Sequence, residues 1–433
     1  MANYGKGDSK WFTHDRFGMF IHWGLYSMLA KHEWIRSFDH IDNESYQIYF
    51  DLFEPDMFNP REWARKAREA GMKYFVITTK HHEGFCMWDT KYTDFKITNT
   101  PYGKDILREI VDAFRAEGLH VGFYYSLLDW HHPDFKIDRF HPLKVRDDWE
   151  ELNKKRNQKR YAKYMRDQVT ELLTQYGKID IIWFDFSYPR MLPSGPGKNC
   201  DDWESEKLIK LVRKLQPKIL VNNRLNLPGS GDIETPEQYT PLFDKVDEKG
   251  KHVTWEGCQT FSGSWGYSRD EQTWKTPKQC IDMLINHVSR NGNLLMNVGP
   301  TSRGYLDYRA INCLDAFAEW MKYHGKAIYG CGMAPAEYPE PRDGRYTYNA
   351  KTNRLYLHIM NWPFKAVFLP GLDGKLRYAQ LLNDGSEIKW RDASSDELNA
   401  NNMLESTQKN GVWLTLPIVK PNVEVPVVEL ILK

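Results

Sequence analysis

The chain has 433 residues, with 59 basic and 58 acidic side chains and a formal net charge of +1 at pH 7. This balance argues against nucleic acid or a membrane surface as the main partner, because both select a basic surface. No apolar run reaches the length of about 18 residues that spans a membrane, and the N-terminus has no apolar signal-type segment. We therefore expect a soluble cytoplasmic protein, or a secreted one if a signal peptide has been removed.

Apolar, β-favouring runs alternate with helical patterns as far as residue 299. Strand followed by helix, repeated along the chain, indicates parallel strands joined by right-handed crossovers. We therefore predict an α/β protein built on an eight-stranded (β/α)8-type barrel, with a doubly wound open sheet as the alternative. The sixth predicted strand is short and half polar. The predicted strands cover residues 16–23, 72–79, 120–127, 178–186, 218–223, 231–235, 252–258 and 292–299.

Helical patterns between these runs carry recognisable start and stop signals. Residues 104–118 place apolar side chains on one stripe and end at Gly118, a residue suited to the position after a helix. Residues 276–292 begin with Thr276 as the N-cap and proline in the first turn. Helices are also predicted over 149–177 and 308–324.

The pattern changes after residue 330. Residues 332–344 are rich in proline, glycine and acidic residues, as is typical of a linker, and short strands separated by turns follow. Residues 349–353 indicate a hairpin connection. This arrangement predicts a small antiparallel β-sandwich, so we divide the chain into a barrel at 1–335 and a β-sandwich at 336–433.

Polar and aromatic side chains gather where the predicted strands end. A barrel brings the carboxyl ends of its parallel strands to one face, so a single site there would collect all of these side chains. They include His22, Glu33, Trp34, His81, His82, Tyr124, Tyr125, Asp185, Arg224, Glu237, Glu256 and Trp265.

His81 and His82 raise the question of a metal site. Consecutive side chains on a strand point to opposite faces, so we expect the two rings to diverge, which argues against a shared metal ion. The sequence has no H-E-x-x-H motif, no glycine-rich phosphate loop and no G-x-S-x-G motif. A metal-dependent hydrolase is kept as an alternative function.

Carboxylates together with histidines and aromatics suit glycoside hydrolysis. That reaction needs one ionised carboxyl group to attack the anomeric carbon and one protonated carboxyl group to donate to the leaving oxygen. Asp185 follows an apolar strand and is the better candidate for the nucleophile. A tryptophan offers a flat apolar face to the C–H side of a sugar.

The strand-end motifs occur in a fixed order from about residue 11 to residue 335: DRFGMFIHWGLYS, KHEW, TTKHHEGFCMWDTKYTDF, GFYYSLLDWHHPDF, IDIIWFDFS, VNNR, GDIETPEQ, WEGC, SWGYSRDE and GNLLMNVGPTSRG. In combination they resemble the α-L-fucosidases of glycoside hydrolase family 29, which also carry a C-terminal β-sandwich. The resemblance implies a retaining exo-acting enzyme that removes terminal α-L-fucose through a covalent fucosyl-enzyme intermediate. It implies no metal or other cofactor, and a fucosylated oligosaccharide or glycoconjugate as substrate.

The resemblance also assigns roles to individual residues. It places the nucleophile on Asp185 and the acid/base on Glu237, with Glu256 as the alternative acid/base. Phe186 stands where many family members have glycine or methionine, and we expect it to narrow the aglycone side. The implied fucose-binding residues are His22, Glu33, Trp34, His81, His82, Tyr125 (with Tyr124 as the alternative), Arg224 and Trp265, the last packing on the C5 methyl group. A non-catalytic fucose-binding protein on the same scaffold is a second alternative function.

Overall fold

The computed structural model describes residues 4–188, 191–192, 195–393 and 410–433. Its strands are β1 (Phe17–Ile21), β2 (Tyr74–Lys80), β3 (His120–Ser126), β4 (Ile181–Asp185), β5 (Met191–Leu192), β6 (Gly195–Pro196), β7 (Leu220–Val221), β8 (Glu256–Thr260), β9 (Asn293–Val298), β10 (Gly344–Asn349), β11 (Arg354–Ile359), β12 (Ala366–Pro370), β13 (Leu376–Leu381), β14 (Trp390–Asp392), β15 (Gly411–Thr415) and β16 (Val427–Leu432). Its α-helices are α1 (Lys10–Asp15), α2 (Tyr26–Leu29), α3 (Ile35–Phe38), α4 (Asn43–Asp51), α5 (Pro60–Glu69), α6 (Ile106–Ala116), α7 (Trp149–Lys154), α8 (Gln158–Gln175), α9 (Cys200–Trp203), α10 (Ser205–Leu215), α11 (Pro277–Val288) and α12 (Tyr308–His324).

A curled sheet of seven parallel strands forms the first part of the molecule, in the order β7-β4-β3-β2-β1-β9-β8. The α/β class and seven of the predicted strands are thereby confirmed. The strands are buried on both faces, as expected for a parallel sheet covered by helices. One face packs around Phe20, Val76 and Trp183, and the other packs against the helices.

The predicted strand at 231–235 is wrong. Single parallel bridges join Ile233 to Asn222 and Glu234 to Trp255, between the two edge strands of the sheet. The Asp232 carboxylate accepts hydrogen bonds from the backbone N–H groups of Val221 (2.9 Å) and Gly7 (3.0 Å). In a regular β-sheet, such N–H groups would donate to backbone carbonyls of a neighbouring strand. A short segment with a competing polar side chain therefore makes bridges instead of a strand.

The helix signals read from the sequence are largely confirmed. The Thr276 side chain accepts a hydrogen bond from Gln279 N, and the Gln279 side chain accepts one from Thr276 N, which completes a capping box at the start of α11. Gly118 has φ 76° just beyond α6. The stretch at 149–177 is broken, because Asn157 caps a new helix start between α7 and α8. Among the described residues, no helix combines the length and apolar character needed to cross a membrane.

Two antiparallel sheets follow, in the orders β10-β11-β16-β13 and β12-β15-β14, and they share a core. The predicted hairpin is confirmed, since Asn349 pairs with Arg354 across the turn. The short strand β14 is not predicted from the sequence. Trp320 on α12 donates from its indole N–H to the carbonyl of Val425 at 2.9 Å, which links these sheets to the first part of the molecule.

Candidate active site

A pocket opens where the parallel strands end. Nine of the twelve residues that the sequence gathered for the site line it, from segments far apart in the sequence. The lining residues are Phe20, His22, Glu33, Trp34, His81, His82, Tyr124, Trp183, Asp185, Phe186, Glu237, Cys258 and Trp265.

Asp185 is the last residue of β4, and both of its carboxylate oxygens have partners. Oδ1 accepts a hydrogen bond from Nη1 of Arg224 at 2.8 Å, and Oδ2 accepts one from the Tyr124 hydroxyl at 2.7 Å. Burial raises the pKa of Asp185; Arg224 and Tyr124 oppose this shift, and the nearby charge of Glu237 adds to it. The carboxylate is thus held in one orientation by two donors.

Arg224 also binds the second carboxyl group of the pocket. Its Nη2 donates to Oε2 of Glu237 at 2.6 Å, so one guanidinium contacts both Asp185 and Glu237. The guanidinium carbon lies 4.5 Å from the ring centre of Trp183. The side chain of Glu237 is 40% exposed, against 12% for Asp185, so Glu237 is the carboxyl group that solvent reaches more easily.

Glu256 is buried and is not among the residues that line the pocket. Its carboxylate accepts hydrogen bonds from the Tyr74 hydroxyl at 2.5 Å and from the Trp183 indole at 3.3 Å. Burial raises the pKa of Glu256 to about 7. Trp183 is bonded to Glu256 and itself lines the pocket.

The expected divergence of His81 and His82 is wrong. Strand β2 ends at Lys80, after a register shift between Thr78 and Lys80, so the alternation of strand side chains stops before the two histidines. Their ring centroids lie 4.0 Å apart, and both rings line the pocket. Burial lowers the pKa of both histidines well below the ordinary value. Within the described residues, no three His, Cys, Asp or Glu side chains are grouped as a metal site would require.

Tyr125 lies away from the pocket, and Tyr124, the alternative, lines it. The hydroxyl of Tyr125 donates to Gln168 at 2.8 Å, and its ring lies 4.4 Å from Nζ of Lys80. The hydroxyl of Tyr124 instead lies 2.7 Å from Oδ2 of Asp185. The parallel register pairs Tyr124 with Trp183, and this pairing decides which tyrosine faces the pocket.

Two loops complete the walls. Oε2 of Glu33 accepts a hydrogen bond from Gly266 N at 2.8 Å, and thereby ties the loop that carries Trp265 to the rim. The Trp265 ring packs on His22, with centroids 5.1 Å apart. Trp34 packs on His82 and on Phe186 at 4.8 and 5.1 Å.

Phe20, Trp183 and Cys258 line the pocket although no role was predicted for them. Each lies two positions from a singled-out residue, namely His22, Asp185 and Glu256, on β1, β4 and β8 or directly beyond. Residues two apart on a strand share a face, so this spacing is the sequence signal that could have identified the three residues.

Phe186 also lines the pocket, and the sequence marks it only as a departure from the family pattern. Its φ is 83°, a backbone conformation that is energetically unfavourable for any residue other than glycine.

The chain is similar to known proteins over most of its length. The family model described as Alpha-L-fucosidase matches residues 5–326. The plasma alpha-L-fucosidase of Rattus norvegicus is 29% identical over 412 residues, which cover 88% of this chain and 84% of that protein. The tissue alpha-L-fucosidase of Homo sapiens is 28% identical over 388 residues, which cover 82% of this chain and 76% of that protein.

Solved structures resemble the whole chain. The alpha-L-fucosidase isoenzyme 1 from Paenibacillus thiaminolyticus superposes with a TM-score of 0.90 at 43% identity, covering 98% of both chains. A GH29 alpha-L-fucosidase from Bacteroides thetaiotaomicron superposes with a TM-score of 0.82 at 28% identity, covering 99% of both chains. That enzyme was trapped as a covalent intermediate with 2-fluoro-fucosyl fluoride.

Proposed function

This chain belongs to the alpha-L-fucosidase family, and we propose that Asp185 and Glu237 carry out its reaction. It is a glycoside hydrolase that acts on α-L-fucosides with retention of configuration. The observation that supports the two roles is the single guanidinium of Arg224, which binds Asp185 at 2.8 Å and Glu237 at 2.6 Å. Carboxyl groups gathered on one guanidinium suit the separation of roughly 5 Å that retaining glycosidases use.

Asp185 acts as the nucleophile in the first step. Its carboxylate attacks the anomeric carbon of fucose, forms the fucosyl ester and releases the aglycone. Hydrogen bonds from Arg224 and Tyr124 favour the ionised form of the attacking group and orient it. The protonated Glu237 gives its proton to the leaving oxygen.

Glu237 acts as the base in the second step. It takes a proton from water, and that water attacks the anomeric carbon and breaks the ester bond to Asp185. The greater exposure of Glu237 suits this role, because both the aglycone and the incoming water reach the sugar from the open side of the pocket.

The remaining lining residues hold the sugar ring. His22, His81 and His82 present ring nitrogens to hydroxyl groups, and Trp265 offers an apolar face to the C5 methyl group. The substrates are glycans that end in α-L-fucose. Phe186 and Trp34 narrow the side where the aglycone leaves.

We further propose that the parallel sheet closes into a (β/α)8-type barrel and that residues 336–433 form a separate β-sandwich. The bridges of Asn222 with Ile233, Glu234 with Trp255 and Glu237 with Cys258 support closure, because they run between the two edge strands. The separate core of the antiparallel sheets supports the division at residue 335.

Replacing Asp185 tests the assignment. Asp185→Ala should lower kcat/KM for an aryl α-L-fucoside on the order of 10³-fold or more, because no group remains to form the ester. Incubation with 2-fluoro-fucosyl fluoride should add one sugar mass to the peptide that contains Asp185 in the wild type and none in the variant. Turnover within tenfold of wild type, or a label on another carboxyl group, would overturn the assignment.

A further inference from the structure

The hydrogen bonds behind His22 determine which of its ring nitrogens carries a proton. The backbone carbonyl of Trp265 can only accept, so the Asn297 atom that lies 2.7 Å from it is the donor Nδ2. The other end of that amide, Oδ1, must therefore be the atom 2.7 Å from Nδ1 of His22. Because Oδ1 can only accept, Nδ1 of His22 is the protonated nitrogen.

A different pair of groups leads to the same result at His82. The hydroxyl of Ser126 lies 2.8 Å from the carbonyl of Leu128, which can only accept, so the single hydroxyl proton points at Leu128. Nδ1 of His82 lies 2.6 Å from the same hydroxyl oxygen. That oxygen has only lone pairs left for the ring, so Nδ1 of His82 is also protonated.

We propose that Asn297 and Ser126 are positioning residues that hold His22 and His82 in the Nδ1–H tautomer, so that both rings offer an unprotonated Nε2 to the pocket. The two histidines then accept hydrogen bonds from substrate hydroxyl groups and donate none. The inference rests on the proposed function only for the identity of those hydroxyls. Both positioning side chains are almost completely buried, with exposures of 3% for Asn297 and 0% for Ser126.

The Nδ1–H tautomer of His82 determines what its ring presents to Asp185. Nε2 of His82 lies 3.7 Å from Oδ2 of Asp185, a distance at which a charged imidazolium would form an ion pair. Burial lowers the pKa of His82 well below the ordinary value, so the ring is neutral at pH 7 and its Nε2 lone pair faces the carboxylate. Of the two side chains, His82 and Arg224, only Arg224 therefore brings a positive charge to Asp185.

The tautomers can be measured without substrate. In protein labelled with ¹⁵N-histidine, NMR of the wild type should show Nδ1–H and a bare Nε2 for both rings. Ser126→Ala should allow His82 to become Nε2–H, and Asn297→Leu should do the same for His22, each leaving the other ring unchanged. Asn297→Asp keeps the acceptor and should keep the His22 tautomer.

A matched control separates this role from general packing. Ser230 is 1% exposed and donates to the carbonyl of Leu227 at 2.7 Å, so Ser230→Ala removes a similar bond without touching a histidine. We expect Ser126→Ala, unlike Ser230→Ala, to lower kcat/KM about tenfold, the effect of one misdirected hydrogen bond. An Nε2–H tautomer of His22 or His82 in the wild type would overturn the proposal, and this measurement needs no variant to fold. Unchanged tautomers in Ser126→Ala and Asn297→Leu would overturn it as well.

Sugar analogues test the consequence for binding. A fluorine substituent cannot donate a hydrogen bond. Where a histidine accepts a hydrogen bond from a fucose hydroxyl, replacing that hydroxyl with fluorine should therefore weaken binding as much as replacing it with hydrogen. Both analogues should bind about tenfold or more weakly than L-fucose by calorimetry. If fluorine restores binding at these positions, the histidines are donors and the proposal is wrong. If L-fucose itself does not bind, the proposed function fails while the measured tautomers still decide the inference.

Discussion

Arg224 shows how much of a site one side chain can organise. It binds the two carboxylates that we propose as catalytic, and it stacks on Trp183. Burial lowers its pKa and the charges of Asp185 and Glu237 raise it, with a net upward shift. The guanidinium therefore stays charged, and its planar fork contacts both carboxylates at once, which a lysine ammonium could not do.

The adjacent tyrosines offer a matched comparison. Tyr124→Phe removes the hydrogen bond to Asp185 and should lower kcat/KM for an aryl α-L-fucoside about tenfold, because a hydrogen bond to a charged group is lost. Tyr125→Phe removes only the bond to Gln168 and should leave kcat/KM within about twofold. Equal losses in both variants would contradict the placement of Tyr124 at the nucleophile.

Chemical rescue distinguishes the two candidates for the acid/base. Glu237→Ala should reduce turnover by about 10²- to 10⁴-fold, and azide should restore part of the rate, because azide attacks the fucosyl ester without help from a base. Glu256→Gln keeps the size of a buried side chain that does not line the pocket, and azide should not change its rate. Rescue of a Glu256→Ala enzyme, with none for Glu237→Ala, would reverse the assignment.

At the scale of elements, the turn after β2 brings His81 and His82 to one pocket. Gly84 closes this turn with φ 88°, and an added Cβ would lie 2.2 Å from Oδ1 of Asp129. Asp129 cannot easily move, because Nζ of Lys80 binds its Oδ2 at 3.1 Å and both atoms are buried. The turn thus depends on a residue without a side chain and on a buried ion pair beneath it.

Gly118 provides the control for Gly84. Its φ is 76°, and nothing lies within 4 Å of an added Cβ. Gly118→Ala should cost about 1 kcal/mol of unfolding free energy from backbone strain alone. Gly84→Ala should cost roughly 2 kcal/mol more, because steric overlap adds to the strain. Urea titration measures both values, and equal losses would contradict the crowding at Gly84.

At the scale of the whole molecule, buried histidines lie where the antiparallel sheets meet α12. Nδ1 of His324 donates to the carbonyl of Trp320 at 2.8 Å, and Nε2 of His358 bonds the hydroxyl of Thr347 at 2.9 Å. Burial lowers the pKa of His324 to about 4 and that of His358 to about 3. Both rings are neutral in the folded protein well below the pH at which unfolded histidine takes a proton.

The stability of the protein should therefore depend on pH through these rings. Between the unfolded pKa of about 6.5 and the folded value, the unfolded state binds more protons, so stability falls as the pH falls. His358→Gln should remove a loss of about 3 kcal/mol at pH 4, because a glutamine does not titrate. Thermal melts from pH 7 to pH 4 measure the difference, with His14→Gln at an exposed position as the control. Parallel curves for wild type and His358→Gln would contradict the prediction.

The sequence by itself determined the α/β class, the seven parallel strands, one end each of α6 and α11, and the family. These depend on local patterns, because hydrophobic period, capping residues and motif order are properties of neighbouring residues. The sequence also identified most of the pocket residues, because the ends of strands can be recognised without knowing how the strands pack. Only the tertiary structure decided that Tyr124 and not Tyr125 faces Asp185, that His81 and His82 converge, and that Glu256 lies outside the pocket lining. Each of these outcomes depends on the register between strands or on the path of the chain after a strand ends, which packing between distant segments sets.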